Sequence, residues 1–330
     1  MNSLPVNRRQ FVKSSSLLTP ALAASAAGLI GGHAAAHAAA PARSDSSASA
    51  PVRYCLNMST INSSQVPLRE QLKIAADAGY TGVELWLRDV DRYMKEGGDL
   101  APLRREIADL GLTVESSIAF GKWVVDDDAE RAAGLDQCRR DMENLRALGG
   151  RRMAAPPVGV TDAKAGKLDL NAAADRYRKL LQIGRERDVL PQIELWGFSK
   201  NLSTLAEVLY VAAAANDPDS CVLLDVYHMY KGGSDFANIA LVPGARMHVL
   251  HMNDYPAAPP RDTIKDEHRV YPGDGVAPLS MILSTLLKGG FPGVLSLELF
   301  NRDYWKQPPA EVAKRGLEKM QAAVAEAVHY

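Results

Sequence analysis

The chain has 330 residues, of which 47% are hydrophobic and 23% are charged, and its formal net charge at pH 7 is -1. This is the composition of a globular protein, and the balance of 38 basic against 39 acidic residues, with no basic stripe, argues against a nucleic-acid partner. Three scattered cysteines, Cys55, Cys138 and Cys221, are too few for a disulfide framework and predict buried free thiols.

The first forty residues differ in kind from the rest of the chain. A basic stretch at residues 7–13 contains Arg8 and Arg9, a weakly apolar stretch follows at 17–30, and small residues dominate 34–40. This order of basic, apolar and small residues indicates an export signal. The apolar stretch is too short and too diluted by polar residues to predict a membrane anchor.

The paired arginines, followed by Phe11 and Lys13, resemble the twin-arginine export signal of bacteria. We therefore expect a twin-arginine signal peptide at residues 1–40 and a flexible leader at 41–50. The mature protein is expected to be periplasmic, with no stable membrane anchor once the signal is cleaved. The catalytic domain is expected at residues 51–330.

From residue 52 onward, short apolar runs alternate with longer stretches of helical periodicity. The runs predict strands, and the periodic stretches predict helices, several of which stop at glycine. The predicted strands cover residues 52–58, 82–86, 112–118, 152–155, 190–195, 221–225, 247–252 and 294–299. The predicted helices cover residues 67–78, 100–110, 128–148, 171–187, 203–215, 236–241, 279–287 and 309–328.

Eight strand and helix units in this order match the length and pattern of a single-domain α/β protein of the (β/α)8 TIM-barrel class. A doubly wound open sheet is the alternative, but no glycine-rich phosphate turn follows an early strand. The long segment at residues 255–275 is irregular, and such loops in compact domains usually carry function.

An imidazole or a carboxylate stands at the end of each of the last four predicted strands: Glu194, Asp225, His251 and Glu298. In a barrel the carboxyl ends of the strands open on one face, so these side chains are expected to converge. Buried carboxylates are costly unless they are paired or shared with a cation. The pattern predicts a divalent metal site that favours Mn²⁺, Mg²⁺ or Co²⁺ and also admits Zn²⁺ or Fe²⁺.

Several segments share a pattern with one known family: residues 78–85, Glu194, 225–228, 251–254, 272–275 and 293–298. On these segments the chain resembles the xylose isomerase-like TIM-barrel superfamily of sugar phosphate isomerases and epimerases. The resemblance implies that Glu194, Asp225, His251 and Glu298 are the metal ligands. It also implies that Glu194 and Glu298 are the catalytic pair that moves a proton at the carbon next to a carbonyl.

Three further residues are expected near the substrate. The resemblance implies that His228 and Asp254 contact the substrate or the metal ligands. Ketose epimerases of the superfamily usually place an arginine shortly after the histidine ligand, and this chain departs from that pattern. Arg269, which lies just before the 272–275 turn, is therefore the predicted partner of a substrate hydroxyl or carboxylate.

Aromatic residues at strand ends point to a carbohydrate site. Trp86 and Trp196 lie at or just beyond predicted strands, where their faces are expected to stack on the C–H faces of a sugar. Glu84, two residues before Trp86, is expected to contact substrate hydroxyls or to pair with a neighbouring loop.

These observations predict a metal-dependent sugar isomerase or epimerase that works by proton abstraction through a metal-stabilised enediolate. The expected substrate is a small unphosphorylated sugar, keto-sugar or cyclitol, because no phosphate-binding glycine motif is present. One alternative is a dehydratase or lyase that uses the same metal site for β-elimination, for example on a 3-keto-glycoside. Another is a non-catalytic sugar-binding protein, and the sequence leaves a homo-oligomeric assembly open.

Overall fold

The structure is a computed structural model and describes residues 52–330 of the chain. The predicted signal peptide and leader, at residues 1–40 and 41–50, lie outside the described residues. The described residues account for almost all of the predicted catalytic domain.

Eight parallel strands build a nearly closed barrel, which confirms the predicted fold class. The strands are β1 Arg53–Asn57, β2 Gly82–Trp86, β3 Thr113–Ile118, β4 Arg152–Ala155, β5 Leu190–Glu194, β6 Val222–Asp225, β7 Met247–Met252 and β8 Val294–Leu297. Their order in the sheet is β3-β2-β1-β8-β7-β6-β5-β4. Strands β2, β6 and β8 are buried along their whole length, as expected for a parallel sheet covered by helices.

Nine α-helices connect the strands within residues 52–330. They are α1 Leu68–Ala78, α2 Leu87–Lys95, α3 Leu100–Asp109, α4 Asp128–Ala147, α5 Leu170–Arg187, α6 Leu205–Ala214, α7 Val226–Gly232, α8 Leu279–Lys288 and α9 Pro309–Val328. The prediction missed α2 and α7, each of which begins directly after a strand with no intervening loop. Between β6 and β7 it placed only a helix at 236–241, where the structure has a single 3-10 segment, Phe236–Leu241.

Strand register sets which polar groups face one another at the carboxyl end of the barrel. Asp225 pairs with His251 across β6 and β7, and His251 pairs with Ser296 across β7 and β8. On the other side of β8, Asn57 of β1 pairs with Glu84 of β2. The register therefore brings these residues to one level of the barrel.

One further prediction can be compared with the described residues. Cys55, Cys138 and Cys221 are buried and free, as predicted. Among residues 52–330, no helix combines the length and the apolar character that a membrane crossing requires.

Candidate active site

The four predicted metal ligands lie at the carboxyl end of the barrel. Glu194 and Asp225 are the last residues of β5 and β6, His251 lies in β7, and Glu298 directly follows β8. None of these side chains is more than about 4% exposed. The structure therefore brings all four together in a buried position.

The Nδ1 atom of His251 is the point on which the carboxylates converge. It lies 3.1 Å from Oε2 of Glu298, 3.6 Å from Oε1 of Glu194 and 3.8 Å from Oδ2 of Asp225. Burial lowers the pKa of His251, but the charges of Glu298 and Glu84 outweigh it and hold this pKa well above its usual value. Without a cation, the imidazole itself balances part of the negative charge.

The donor atoms fit a divalent cation. Ligand atoms of Glu194, His251 and Glu298 all lie within 4.8 Å of one another. In the described part of the chain, Oε2 of Glu194 and Nδ1 of His251 make no hydrogen bond. Burial, reinforced by the charge of Glu298, raises the pKa of Glu194 to about 8. Unpaired buried polar atoms on a carboxylate and an imidazole, next to a second carboxylate, are the surroundings that a hard or borderline metal ion compensates.

Asp225 is placed at the edge of this group. Its Oδ2 atom accepts hydrogen bonds from Arg269 at 2.7 Å and from Asn253 at 3.0 Å. Its Oδ1 atom accepts from the backbone amide of His228 at 2.7 Å and so caps the start of α7. Asp225 thus has three protein partners, and its role as a metal ligand stays a prediction.

Glu84 lies on the far side of His251. Its Oε2 atom is 3.0 Å from Nε2 of His251 and accepts hydrogen bonds from Asn57 at 2.9 Å and from Ser296 at 2.7 Å. Glu84 is fully buried and is not part of the described cavity wall. The prediction of a substrate contact is therefore corrected: Glu84 holds the imidazole, because β2 points its side chain at β7 rather than at the opening.

Asn57 is a residue that sequence reasoning missed. Its amide donates to Glu84 and, at 3.1 Å, to Oε1 of Glu298, while its oxygen accepts from Nε1 of Trp86 at 2.8 Å. It thereby connects two acidic residues to an aromatic wall residue. The available signal was its place at the end of β1, where an apolar run stops at a polar side chain just as it does before Glu194.

Arg269 reaches the centre from the long loop after β7, and its expected contact with a substrate oxygen stays a prediction. Its Nη1 atom donates to Asp225 and, at 2.9 Å, to Oε2 of Glu298, and its Nη2 atom donates to Asp266 at 2.6 Å. Burial lowers the pKa of Arg269, but the charges of these three carboxylates raise it by more. The net shift is upward, so the guanidinium stays charged. Arg269 lies in the cavity wall, next to the oxygens that it orients.

His228 also lies in the cavity wall, at the start of α7. Its Nε2 atom is 3.1 Å from Nη2 of Arg269. Because a guanidinium can only donate, Nε2 must accept, and the ring proton belongs on Nδ1. Burial lowers the pKa of His228 to about 4, so the ring is neutral at neutral pH.

Asp254 has a different place from the one predicted. Its two oxygens accept hydrogen bonds from the backbone amides of Tyr255, Gly273, Gly275 and Ala277, at 2.8 to 3.0 Å. It is 1% exposed and is not part of the described cavity wall. The expected contact with the substrate or the metal ligands is corrected: Asp254 ties the loop after β7 to itself.

A cavity of about 470 Å³ opens above the buried centre. Trp86 and Trp196 line it, and neighbouring rings continue the wall from one to the other. The expected stacking of the two tryptophans on a sugar stays a prediction. The centroid of Phe120 is 5.4 Å from that of Trp86 and 6.3 Å from that of Trp196. Phe300 adjoins Trp86 at 6.0 Å, and Phe198 stacks on Trp196 at 5.2 Å. The three phenylalanines were missed because they lie outside the strands, where periodicity carries no signal.

These features define a class: a (β/α)8 barrel with a buried carboxylate and imidazole centre beneath a cavity walled largely by aromatic rings. The chain belongs to the xylose isomerase-like TIM barrel family, which it matches over residues 72–323. The resemblance inferred from the sequence segments is therefore confirmed.

Curated relatives have several activities. The chain is 25% identical to an inosose isomerase of Bacillus velezensis over 279 residues, which is 83% of this chain and 97% of the relative. It is 26% identical over 254 residues to a 3-dehydroshikimate dehydratase of Pseudomonas putida, covering 77% of this chain but only 39% of that longer protein.

Solved structures share the fold at lower identity. The IOLI protein, crystallised with a zinc atom, matches with a TM-score of 0.76 and 22% identity over 83% of this chain and 99% of its own. A D-allulose 3-epimerase from Methylomonas sp., in complex with D-allulose, matches with a TM-score of 0.66 and 19% identity over 83% and 99%. With relatives that are isomerases, epimerases and dehydratases, the chain is an enzyme of this family.

Proposed function

We propose that the protein is a metal-dependent isomerase or epimerase of an unphosphorylated keto-sugar or cyclitol. The observation that carries this proposal is that Glu194 and Glu298 both lie in the cavity wall and both flank Nδ1 of His251. The inosose isomerase supports it as a curated relative, and the D-allulose 3-epimerase shares the fold.

The ligands proposed for the ion are Glu194, His251 and Glu298, with Asp225 as a fourth. When bound, a divalent ion supplies polarisation of a substrate carbonyl, which makes the neighbouring C–H bond more acidic. The oxygen-rich set favours Mn²⁺, Mg²⁺ or Co²⁺, and the zinc in the related IOLI structure adds Zn²⁺ to the ions to be tested.

The chain's own residues perform the remaining steps. One of the paired carboxylates, Glu194 or Glu298, removes the proton next to the carbonyl. In an epimerisation the other carboxylate returns a proton to the opposite face of the same carbon. In an isomerisation the proton returns to the former carbonyl carbon, while the hydroxyl proton moves to the former carbonyl oxygen. Arg269 holds Glu298 in place, and the neutral His228 ring lies beside it in the cavity wall, where it can contact a substrate oxygen. Trp86 and Trp196 pack on the C–H faces and exclude water.

The first prediction tests this assignment. Replacing Glu298 with Gln should lower metal-dependent exchange of a substrate C–H proton for deuterium by at least about 10²-fold, the low end of general-base effects. Exchange is read by proton NMR with a panel of keto-sugars and inososes in deuterated water. The control is Glu318→Gln, which removes an exposed carboxylate on α9. Undiminished exchange in the Glu298 variant would contradict the proposed role.

A dehydratase or lyase is the second candidate, and the P. putida 3-dehydroshikimate dehydratase supports it. Both reactions begin with the same proton abstraction, and they diverge when a β-oxygen leaves. The mass of the product separates them, because only elimination changes the composition. A product of unchanged mass identifies the isomerase.

We also propose that the chain is exported to the periplasm by the twin-arginine route, on the basis of Arg8 and Arg9. The second prediction is that replacing both with Lys retains the protein in the cytoplasm, whereas Lys13→Arg, which keeps the charge pattern, leaves export intact. Cell fractionation and immunoblotting measure the two pools. Periplasmic recovery of the double variant would contradict this route. A homo-oligomeric state also stays a prediction, and light scattering can test it.

A further inference from the structure

The cavity is larger than one sugar ring. It encloses about 470 Å³, whereas a close-packed hexose or cyclitol occupies roughly 180 Å³. We propose that the substrate is a two-ring sugar: a keto-sugar at the metal centre, joined by a glycosidic bond to a second, neutral sugar ring in the outer half of the cavity. This inference rests on the proposed function and names its substrate class.

The inner half of the cavity holds the groups of the proposed reaction. Glu194, Glu298, His228 and Arg269 are nearly or fully buried and form its floor. Trp86, which is 6% exposed, forms the wall beside them. One sugar ring fills the inner half, and the outer half of the cavity lies beyond that ring.

The outer half is built from different residues. Phe198 is 43% exposed and extends the aromatic wall outward from Trp196, with the two rings nearly parallel at 30°. Trp305, which follows β8, is fixed by a hydrogen bond from its Nε1 to the backbone oxygen of Ser59 at 2.9 Å. Half-exposed rings held in place are the platforms on which the apolar face of a sugar stacks.

Charged side chains beside these rings supply the polar partners. Lys265, Glu267 and Arg302 line the cavity, and Nε of Arg302 lies 2.8 Å from Oε2 of Glu267. The pair offers both donors and an acceptor, which is what the hydroxyls of a sugar require. This part of the wall carries two cations, Lys265 and Arg302, and two carboxylates, Asp266 and Glu267, so their formal charges balance. This balance favours a neutral second ring over a phosphate or a carboxylate.

The test compares substrates that share the reacting ring. 3-Ketoglucose, its methyl glycoside and a 3-keto-disaccharide are supplied to the metal-loaded protein, and C–H exchange or product formation gives kcat/KM for each. We expect kcat/KM to be at least about tenfold higher for the disaccharide than for the methyl glycoside, the equivalent of one good contact. Equal values for the two would overturn the proposal.

A matched pair of variants locates the second ring. Arg302→Ala should lower the ratio of disaccharide to methyl glycoside kcat/KM towards one. Lys306→Ala removes a cation of similar exposure from the same turn, outside the cavity wall, and should leave the ratio unchanged. Arg302 is 74% exposed, so its loss is compatible with folding. A ratio that Arg302→Ala does not move would overturn the assignment.

A failure of the proposed function can be distinguished from a failure of the two-ring proposal. If none of the keto-sugars reacts, the isomerase assignment fails, and binding then decides the outer site. Quenching of tryptophan fluorescence by cellobiose is compared with quenching by glucose. Tighter binding of cellobiose, weakened by Trp305→Phe, supports the two-ring site, and equal binding of the two sugars overturns it.

Discussion

The two ring nitrogens of His251 have different partners, and this difference decides what the residue can bind. Nε2 faces the carboxylate of Glu84 at 3.0 Å, while Nδ1 faces the carboxylates of Glu298 and Glu194. A histidine that ligates a metal commonly gives its other nitrogen to a carboxylate, which fixes the ring and raises its basicity. In the proposed metal site, Glu84 therefore prepares His251 to bind a cation through Nδ1.

The third prediction concerns this contact. Replacing Glu84 with Gln removes the negative charge behind the imidazole and should weaken the affinity for Mn²⁺ or Zn²⁺ by about 10- to 100-fold, the effect of losing such a partner. Calorimetric titration of the metal-free protein measures it without any substrate.

A second buried glutamate provides the control for this prediction. Glu115 of β3 is 3% exposed and pairs with Arg53 and Arg152 instead of with His251. Glu115→Gln is expected to lower the free energy of unfolding while leaving the metal affinity unchanged. If Glu84→Gln also binds metal with unchanged affinity, the positioning role of Glu84 is refuted.

At the scale of elements, one side chain makes several of the hydrogen bonds that hold the loop after β7. Asp254 accepts hydrogen bonds from four backbone amides of its own loop. Gly275 approaches so closely that a Cβ there would clash with Asp254 and with the carbonyl of Tyr255. Arg269 lies within the same loop, so the anchor fixes the path of the segment that delivers the guanidinium to the centre.

The fourth prediction follows from this anchor. Asp254→Ala leaves buried amides unpaired and should lower the free energy of unfolding by about 2–4 kcal/mol, because each net hydrogen bond contributes about 1 kcal/mol. Urea unfolding measures the loss, and hydrogen exchange at the amides of Gly273 and Gly275 should accelerate. Asp254→Asn keeps one acceptor oxygen, so its free energy of unfolding is expected to lie between those of the unchanged protein and of Asp254→Ala. Unchanged exchange at both amides would argue against the anchor.

The strands were predictable from the sequence, but two of the helices that follow them were not. Apolar runs fixed the eight strands to within a residue or two, and they identified Glu194, Asp225, His251 and Glu298, because a polar residue that ends a buried run is a local signal. Helices α2 and α7 were missed because each begins directly after the last strand residue, where no loop separates the two periodicities. α7 is capped by Asp225 itself, a site residue that also has a local structural task.

The contacts between site residues depend on the whole barrel. Asn57 and Glu298 are separated by 241 positions in the chain, yet their side chains are hydrogen-bonded across the closing of the sheet. Glu84 supports His251, whereas Glu298 faces the opening. The local sequence does not distinguish the two, since Glu84 lies in a buried strand and Glu298 directly follows one. Strand register and side-chain direction separate the two, and those are properties of the assembled molecule.

The fifth prediction belongs to the whole molecule. The proposed ligands lie in or directly after β5, β7 and β8, with Asp225 from β6. The site therefore exists only when the barrel is folded. An ion that binds this site must stabilise the folded state. At a concentration 100 times its Kd, such an ion adds about 2.7 kcal/mol to the free energy of unfolding. Treatment with a chelator should therefore lower the melting temperature by several degrees, and Mn²⁺ should restore it in proportion to the logarithm of its concentration. Scanning calorimetry measures both changes, and Glu298→Gln, which lacks one ligand charge, should respond much less. A melting temperature that is indifferent to chelator and to added metal would show that the centre binds no ion.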